Sequence, residues 1–328
     1  MATLVIDRNN IEVRSDGAAL AMYEDGERRG SVPLKLLDRV VLQGTIRLDT
    51  GVLTRLAEAG VSTVLLGARN SRRVATLLGP AHRDASVRLA QYQSALDPVW
   101  CDAWSRRIVL GKTRAQLRLL RTALAQRPDE RKSLFDAIES VESALRSLED
   151  NTDAVAASVR GIEGACAAAY FRGLCALFPE SLGFHGRNRR PPRDPVNAAL
   201  SLTYTMLHFD AVRAGYAAGL DPLIGFYHRP VHGRESLACD LIEPLRPRAD
   251  AWVWSMFRDR TLRAENFSLD KGACLLGKAG REAFYSSYET FAAIPRRWLR
   301  RQCAGVAAAL REEGEPLLAE ADAQGWED

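Results

Sequence analysis

The residues able to do chemistry in this 328-residue chain are few and far apart. Five histidines occur, His82, His185, His208, His228 and His232. None belongs to an H-E-x-x-H pair, and C-x-x-C, G-x-x-x-x-G-K-S/T and G-x-S-x-G patterns are all absent. That excludes zincin, zinc-finger, P-loop and α/β-hydrolase chemistry at the level of motifs. What remains is a set of carboxylates and imidazoles in three segments.

The densest segment joins Gly225-Phe226-Tyr227-His228 to Gly233-Arg234-Glu235-Ser236-Leu237-Ala238-Cys239-Asp240-Leu241-Ile242-Glu243. Ser236 is suited to cap a helix here. Asp240 and Glu243, three residues apart, would share one face of it, flanking a stripe of Leu237, Leu241 and Leu245. Pro244 and Pro247 predict a kink. Read alone, the segment is better explained as a solvent-facing acidic pair beside a buried, satisfied His228.

The second segment holds Glu163, set between Gly161 and Gly164 in an Ala-rich helical pattern. Each helical glycine costs about 1 kcal/mol relative to Ala, which makes sense if another backbone approaches closely there. A tightly packed Ala/Gly helix with one solvent-facing charge is the alternative. The third segment is a loop from Arg187 through Arg189, Arg190 and Arg193, stiffened by Pro191-Pro192. Asp194 then caps a helix with Pro195 at its first position. Along that helix Asn197, Ser201, Tyr204 and His208 form a polar stripe, suited either to a phosphate-bearing site or to a buried hydrogen-bond network.

Two carboxylates and one imidazole on helices suit a hard divalent ion, Mg²⁺ or Mn²⁺, better than zinc. Such an ion activates a hydroxyl nucleophile and stabilises a phosphodiester under displacement. With basic surroundings, phosphodiester chemistry on DNA is the economical expectation.

These segments must be positioned by elements of two characters. Residues 1–80 read as β-rich: Thr3–Ile6, Ile11–Arg14, Ala18–Tyr23, Arg28–Val32, Arg39–Leu42, Val61–Leu66 and Arg73–Leu77 are alternating or β-branched runs. One short helix, capped by Asp49 or Thr50, runs to Ala59. After a linker over 81–85, apolar residues recur every three or four positions. Helices are expected over 86–96, 98–126, 129–148, 152–178, 194–218, 236–262 and 282–312. The expected class is therefore α+β, with a small N-terminal β-rich domain (1–80) before a larger all-α catalytic domain (86–328) ending in a short acidic tail.

Composition narrows the function classes. A 47% hydrophobic, 26% charged chain is neither disordered nor a disulfide scaffold. Six scattered cysteines, the lack of a cleavable signal pattern and the lack of an apolar run of about 18 residues lead to the expectation of a cytoplasmic protein. The net charge of +4 conceals an asymmetry: residues 1–310 hold 44 cations against 34 acids, while the last 18 positions hold seven acids and one Arg. All but five of the cations are Arg, whose planar fork grips phosphate, though a GC-rich genome gives the same bias.

Four runs occur together in order: Gly161-Ile162-Glu163-Gly164; Arg189-Arg190-Pro191-Pro192-Arg193-Asp194-Pro195-Val196-Asn197; Gly219-Leu220-Asp221-Pro222 through Gly225-Phe226-Tyr227-His228; and Asp240-Leu241-Ile242-Glu243-Pro244-Leu245-Arg246-Pro247. Together they resemble CRISPR-associated protein 1, the integrase of spacer acquisition, over nearly the whole chain. The resemblance implies a metal site formed by Glu163, His228 and Glu243, with Asp240 as a further acid of the catalytic centre, close to the metal or on DNA. It implies Mg²⁺ or Mn²⁺ as cofactor and a homodimer assembled through the β domains. The dimer would act with CRISPR-associated protein 2 on a prespacer duplex and the CRISPR repeat. Arg187, Arg189, Arg190 and Arg193 are candidates for phosphate contact, and Arg83, Arg88 and Lys112 resemble DNA-contacting positions. Asn197, Tyr204 and His208 would support the site, although at His208 many relatives carry a Tyr. A nuclease that does not integrate, and a metal-free DNA-binding scaffold, are the competing expectations.

Overall fold

β-Branched and alternating residues become strands throughout the N-terminal part. These are β1 (Ala2–Ile6), β2 (Ile11–Asp16), β3 (Ala19–Glu24), β4 (Glu27–Pro33), β5 (Leu37–Gln43), β6 (Ile46–Leu48), β7 (Ser62–Leu66) and β8 (Arg73–Leu77). They form two four-stranded sheets, ordered β1-β5-β7-β8 and β4-β3-β2-β6. Asp25 and Gly26 both take positive φ, 51° and 83°, as a two-residue turn between β3 and β4 demands. Ile11, Val13, Leu20, Val40 and Leu42 bury together with Val52 and Leu56 of α1 (Thr50–Glu58). Asp49, not Thr50, caps that helix: its side chain accepts from Val52 N at 2.9 Å. β6 was not expected, since three residues are too few to show a period.

The computed structural model describes residues 2–67, 73–79, 82, 84–151, 154–188 and 191–323. The chain divides into two compact units, Met1–Arg83 and Asp84–Asp328. The second contains α2 (Ser86–Leu96), α3 (Pro98–Gln126), α4 (Arg131–Asp150), α5 (Ala156–Cys175), α6 (Pro195–Ala217), α7 (Ser236–Ile242) and α8 (Arg246–Arg258). A hairpin of β9 (Phe267–Asp270) and β10 (Ala273–Leu276) precedes α9 (Lys278–Ala323). The fold class is thus β-rich followed by mostly helical.

Three expectations are corrected here. The helical unit is not all-α, because Lys271 and Gly272 at positive φ (50° and 80°) close the β9–β10 hairpin. Pro244 and Pro247 break the span 236–262 into α7, a 3-10 turn over Glu243–Leu245, and α8. The last helix does not stop at 312. Gly314 lies against the backbone of Ser86, where an added Cβ would come within 2.2 Å of its carbonyl oxygen, and Arg311 Nε pairs with Asp84 at 2.7 Å. The acidic stretch is therefore helical and packed on α2 as far as it is described.

Helix packing sets the site. α3 packs against α4, α5, α8 and the Glu243–Leu245 turn, while α6 packs against α7, α8 and α9. The close approach expected at Gly161 and Gly164 occurs instead at Gly173, whose Cβ would lie 2.7 Å from Ala137 Cβ of α4; both earlier glycines face open space.

Candidate active site

Three elements bring one cation between two acids. Lys112 on α3 ion-pairs with Glu163 Oε1 on α5, and with Glu243 Oε2 in the 3-10 turn at 2.7 Å. The Lys112 and Glu243 side chains are 12% and 6% exposed, and Glu163 is 21%. Glu243 Oε1 accepts from Arg246 Nε at 2.8 Å, so each oxygen of this carboxylate faces a different cation. Burial alone would raise the Glu243 pKa, but Arg246, then Lys112 and His228, outweigh it and hold the carboxyl at about 2. Glu243 is charged at any working pH. A Cβ added at Gly111, next to Lys112, would stand 3.5 Å from the Pro244 ring beside Glu243, so helix and turn pack closely here.

His228 is held by Asp240. Asp240 Oδ1 accepts from His228 N at 2.8 Å and stands 2.7 Å from His228 Nδ1, while Oδ2 accepts from Phe226 N at 2.8 Å and Tyr227 N at 2.9 Å. Four donors fill the four acceptor positions of one carboxylate. Because that carboxylate only accepts, Nδ1 carries a proton, which leaves Nε2 as the ring nitrogen that a neutral imidazole offers to a ligand. Asp240 is 0% exposed and has no acceptor left. Of the two expectations for Asp240, support behind the site or contact with DNA, its bonds match the first: Asp240 is a positioning residue for the histidine loop. Gly225 makes that loop possible, since a Cβ there would meet Ser236 C at 2.6 Å and His228 O at 2.8 Å. The Tyr227 ring packs edge-on to His228, and burial, then Glu163 and Glu243, push its hydroxyl pKa up. Ser236 is not the cap of α7. Glu235 occupies that position without a side-chain cap, and Ser236 Oγ donates to Arg229 O at 3.2 Å.

The basic loop docks on α6. Arg187 donates to Asn197 Oδ1 at 2.7 Å and Ser201 Oγ at 2.9 Å, and its guanidinium lies over the Tyr204 ring at 5.4 Å. Asn197, fully buried, also accepts from Asn188 N at 3.0 Å and donates to Gly186 O at 2.8 Å, tying the loop to the helix. Arg193 is exposed, with its backbone N bonded to Asn188 Oδ1 at 3.1 Å. Arg88 lies half-buried on α2. Arg83, Arg189 and Arg190 lie outside the described residues. Tyr204 donates to Asp250 Oδ1, and Tyr170 donates to Asp250 Oδ2 at 2.6 Å, so this part of the stripe is the buried network rather than a phosphate surface. His208 Nε2 instead faces Glu235 Oε2 at 2.8 Å.

Glu163 and Glu243 thus converge, with His228 within electrostatic range of Glu243. Among the described residues, no group of three His, Cys, Asp or Glu side chains is placed so that it could hold a metal ion as it stands. The donor chemistry nevertheless fits a hard divalent ion: two carboxylates from separate elements that already share one cation, and an imidazole with its outer nitrogen free to ligate. Sequence reasoning placed Lys112 on DNA and missed that its ammonium bridges the acids. It also missed Arg246, for which the three-residue spacing from Glu243 was the available signal, and Asp250, for which there was none.

With this geometry in hand, comparison with known proteins places the chain. Residues 4–290 match the family model described as CRISPR associated protein Cas1. The chain belongs to the Cas1 family. A Cas1 relative, CRISPR-associated endonuclease Cas1 1 of Thermodesulfovibrio yellowstonii, is 39% identical over 320 residues, covering 95% of this chain and 98% of the relative. Among solved structures, a casposase bound to integration product matches with TM-score 0.81 at 20% identity, over 95% of this chain and 91% of that one. A Cas6-RT-Cas1–Cas2 complex matches with TM-score 0.77 at 21% identity, over 95% of this chain and 35% of that one. At such identities the two structures speak for the Cas1 fold.

Proposed function

We propose that this protein is a metal-dependent DNA integrase and endonuclease of CRISPR adaptation, joining prespacer 3′-hydroxyl ends to repeat phosphodiesters by transesterification. The observation that carries the reading is the pair of acids on α5 and the Glu243 turn sharing one cation beside a braced imidazole. Glu163, Glu243 and His228 Nε2 would hold Mg²⁺ or Mn²⁺. Bound there, the ion supplies positive charge to the phosphate under attack and lowers the pKa of the attacking hydroxyl.

The chain's own groups do the remainder. Asp240 fixes the tautomer and direction of His228, so that Nε2 and not Nδ1 faces the site. Arg246 keeps Glu243 ionised and turned toward the site despite its burial. Arg193 and the neighbouring arginines of the loop neutralise backbone phosphates and set the duplex in place. In the exchange, a new P–O bond forms to the prespacer 3′-oxygen while the repeat strand's P–O bond breaks and its 3′-oxygen leaves with a proton. Water in place of the hydroxyl gives hydrolysis at the same site. The relative's name, an endonuclease, and the casposase and Cas1–Cas2 assemblies that share the fold support this reading. So does the sequence resemblance, which also implies a homodimer through the β unit and CRISPR-associated protein 2 as partner.

The test supplies labelled duplex, divalent metal, the small partner protein and a supercoiled plasmid carrying the repeat. Label joined to plasmid identifies an integrase; cleavage without joining identifies a nuclease alone. A folded His228→Ala variant should lose both activities, and near-native turnover by it would remove the site assignment.

A further inference from the structure

The Lys112 ammonium occupies the place between Glu163 and Glu243 that a shared cation would take. We infer that Lys112 is a built-in counter-cation, holding the two carboxylates together until a divalent ion binds and then swinging off them to face the DNA phosphate. This inference rests on the metal-site reading above and deepens it.

Three observations carry it. First, the two cations on Glu243 differ in kind. Arg246 comes from the next turn of the same segment with a planar fork, whereas Lys112 reaches over from α3 on a flexible four-carbon stem. One is a fixed brace and the other a movable point charge. Second, the charges balance without metal: Glu163 and Glu243 against Lys112 and Arg246. A divalent ion added beside both cations would leave the cluster with two positive charges in excess, and repulsion falls most readily if the flexible one departs. Third, the pair is not sealed, since the Lys112 side chain keeps 12% and the Glu163 side chain 21% of its surface exposed. The device also reconciles a side chain that is 12% exposed and doubly ion-paired with a role at DNA. Its charge is withheld until the metal arrives and is then delivered beside the reacting phosphate.

The consequence is a penalty on metal affinity. A site closed by its own lysine binds with its intrinsic dissociation constant divided by the fraction of open molecules. Mn²⁺ is titrated into the full chain without DNA, and free Mn²⁺ is read by electron paramagnetic resonance. Lys112→Met should bind Mn²⁺ about tenfold tighter than wild type, and Lys112→Arg, which keeps a cation, should not. The wild-type protein gives a second readout that needs no variant. The chain has five lysines, Lys35, Lys112, Lys132, Lys271 and Lys278. Amine labelling followed by mass spectrometry should show Lys112 gaining reactivity with saturating Mn²⁺ while the other four stay level. Unchanged or weaker Mn²⁺ binding by folded Lys112→Met, or unchanged Lys112 labelling, overturns the inference while leaving the metal site standing. Failure of wild type and Lys112→Met alike to bind Mn²⁺ overturns both together.

Discussion

Behind the site, at the scale of single residues, Asp250 carries a large consequence of burial. It is 1% exposed and accepts from Tyr170 and Tyr204. Burial raises its pKa from 3.8 to about 6, against the opposing pull of those two hydroxyls and of Arg246 and Arg187. The sign follows from linkage. A carboxyl whose folded pKa lies above its unfolded value binds its proton more tightly when folded. Its contribution is therefore full below pH 3.8 and is lost as pH rises through about 6. That interval corresponds to about 3 kcal/mol at 1.36 kcal/mol per pKa unit. Asp250→Asn should flatten this part of the profile: urea unfolding at pH 4.5, 5.5 and 7 should show the variant gaining on wild type as pH rises. Parallel profiles would mean that Asp250 stays charged throughout. Glu243 and Asp84, both held at about 2, act in the opposite direction and only at lower pH, so the difference between the two proteins isolates Asp250.

At the scale of elements, glycines separate what the helices need from what they tolerate. Gly225 sits against the backbone of Ser236 and His228, which cannot retreat without moving the Asp240-bound loop. Gly225→Ala should cost about 2–3 kcal/mol by overpacking and should disorder His228. Gly161→Ala and Gly164→Ala meet nothing and should each stabilise α5 by about 0.5–1 kcal/mol. Chemical denaturation of the three variants checks the contrast, and destabilisation by either helical substitution would contradict it. The same elements show what was legible in the sequence. α2, α3 and α6 follow their apolar period, and α3 and α6 their Asp-Pro starts, so closely that the expected spans nearly coincide with the observed ones. The β9–β10 hairpin escaped because four-residue strands with an exposed Leu269 carry no period. Glu163, His228 and Glu243 could be singled out by residue type and by resemblance. Their partners could not, because Lys112 and Glu163 are 51 residues apart and only the packing of α3 on α5 unites them.

At the scale of the whole molecule, charge is distributed along the chain more unevenly than its total of +4 indicates. The first 310 residues carry +10 and the last 18 carry −6. Part of that acidic end has a structural task, since Glu313 approaches Ser94 at 3.5 Å and Gly314 seats α9 on α2. Glu320, Asp322, Glu327 and Asp328 lie beyond those contacts in the sequence, and their charge opposes duplex DNA. Binding of a duplex without divalent metal, followed by fluorescence anisotropy, should weaken by about a thousandfold between 50 and 200 mM salt if some six phosphates are neutralised. Changing the four terminal acids to their amides raises the net charge to +8. It should tighten binding several-fold at 50 mM salt and hardly at all at 200 mM, where the Debye length has shrunk to below about 8 Å. The unfolding midpoint should stay where it is. A flat salt dependence would mean that the basic body is not what meets the duplex. Equal tightening at both salts would place the acidic end in direct contact with DNA, because only a short-range contact survives screening.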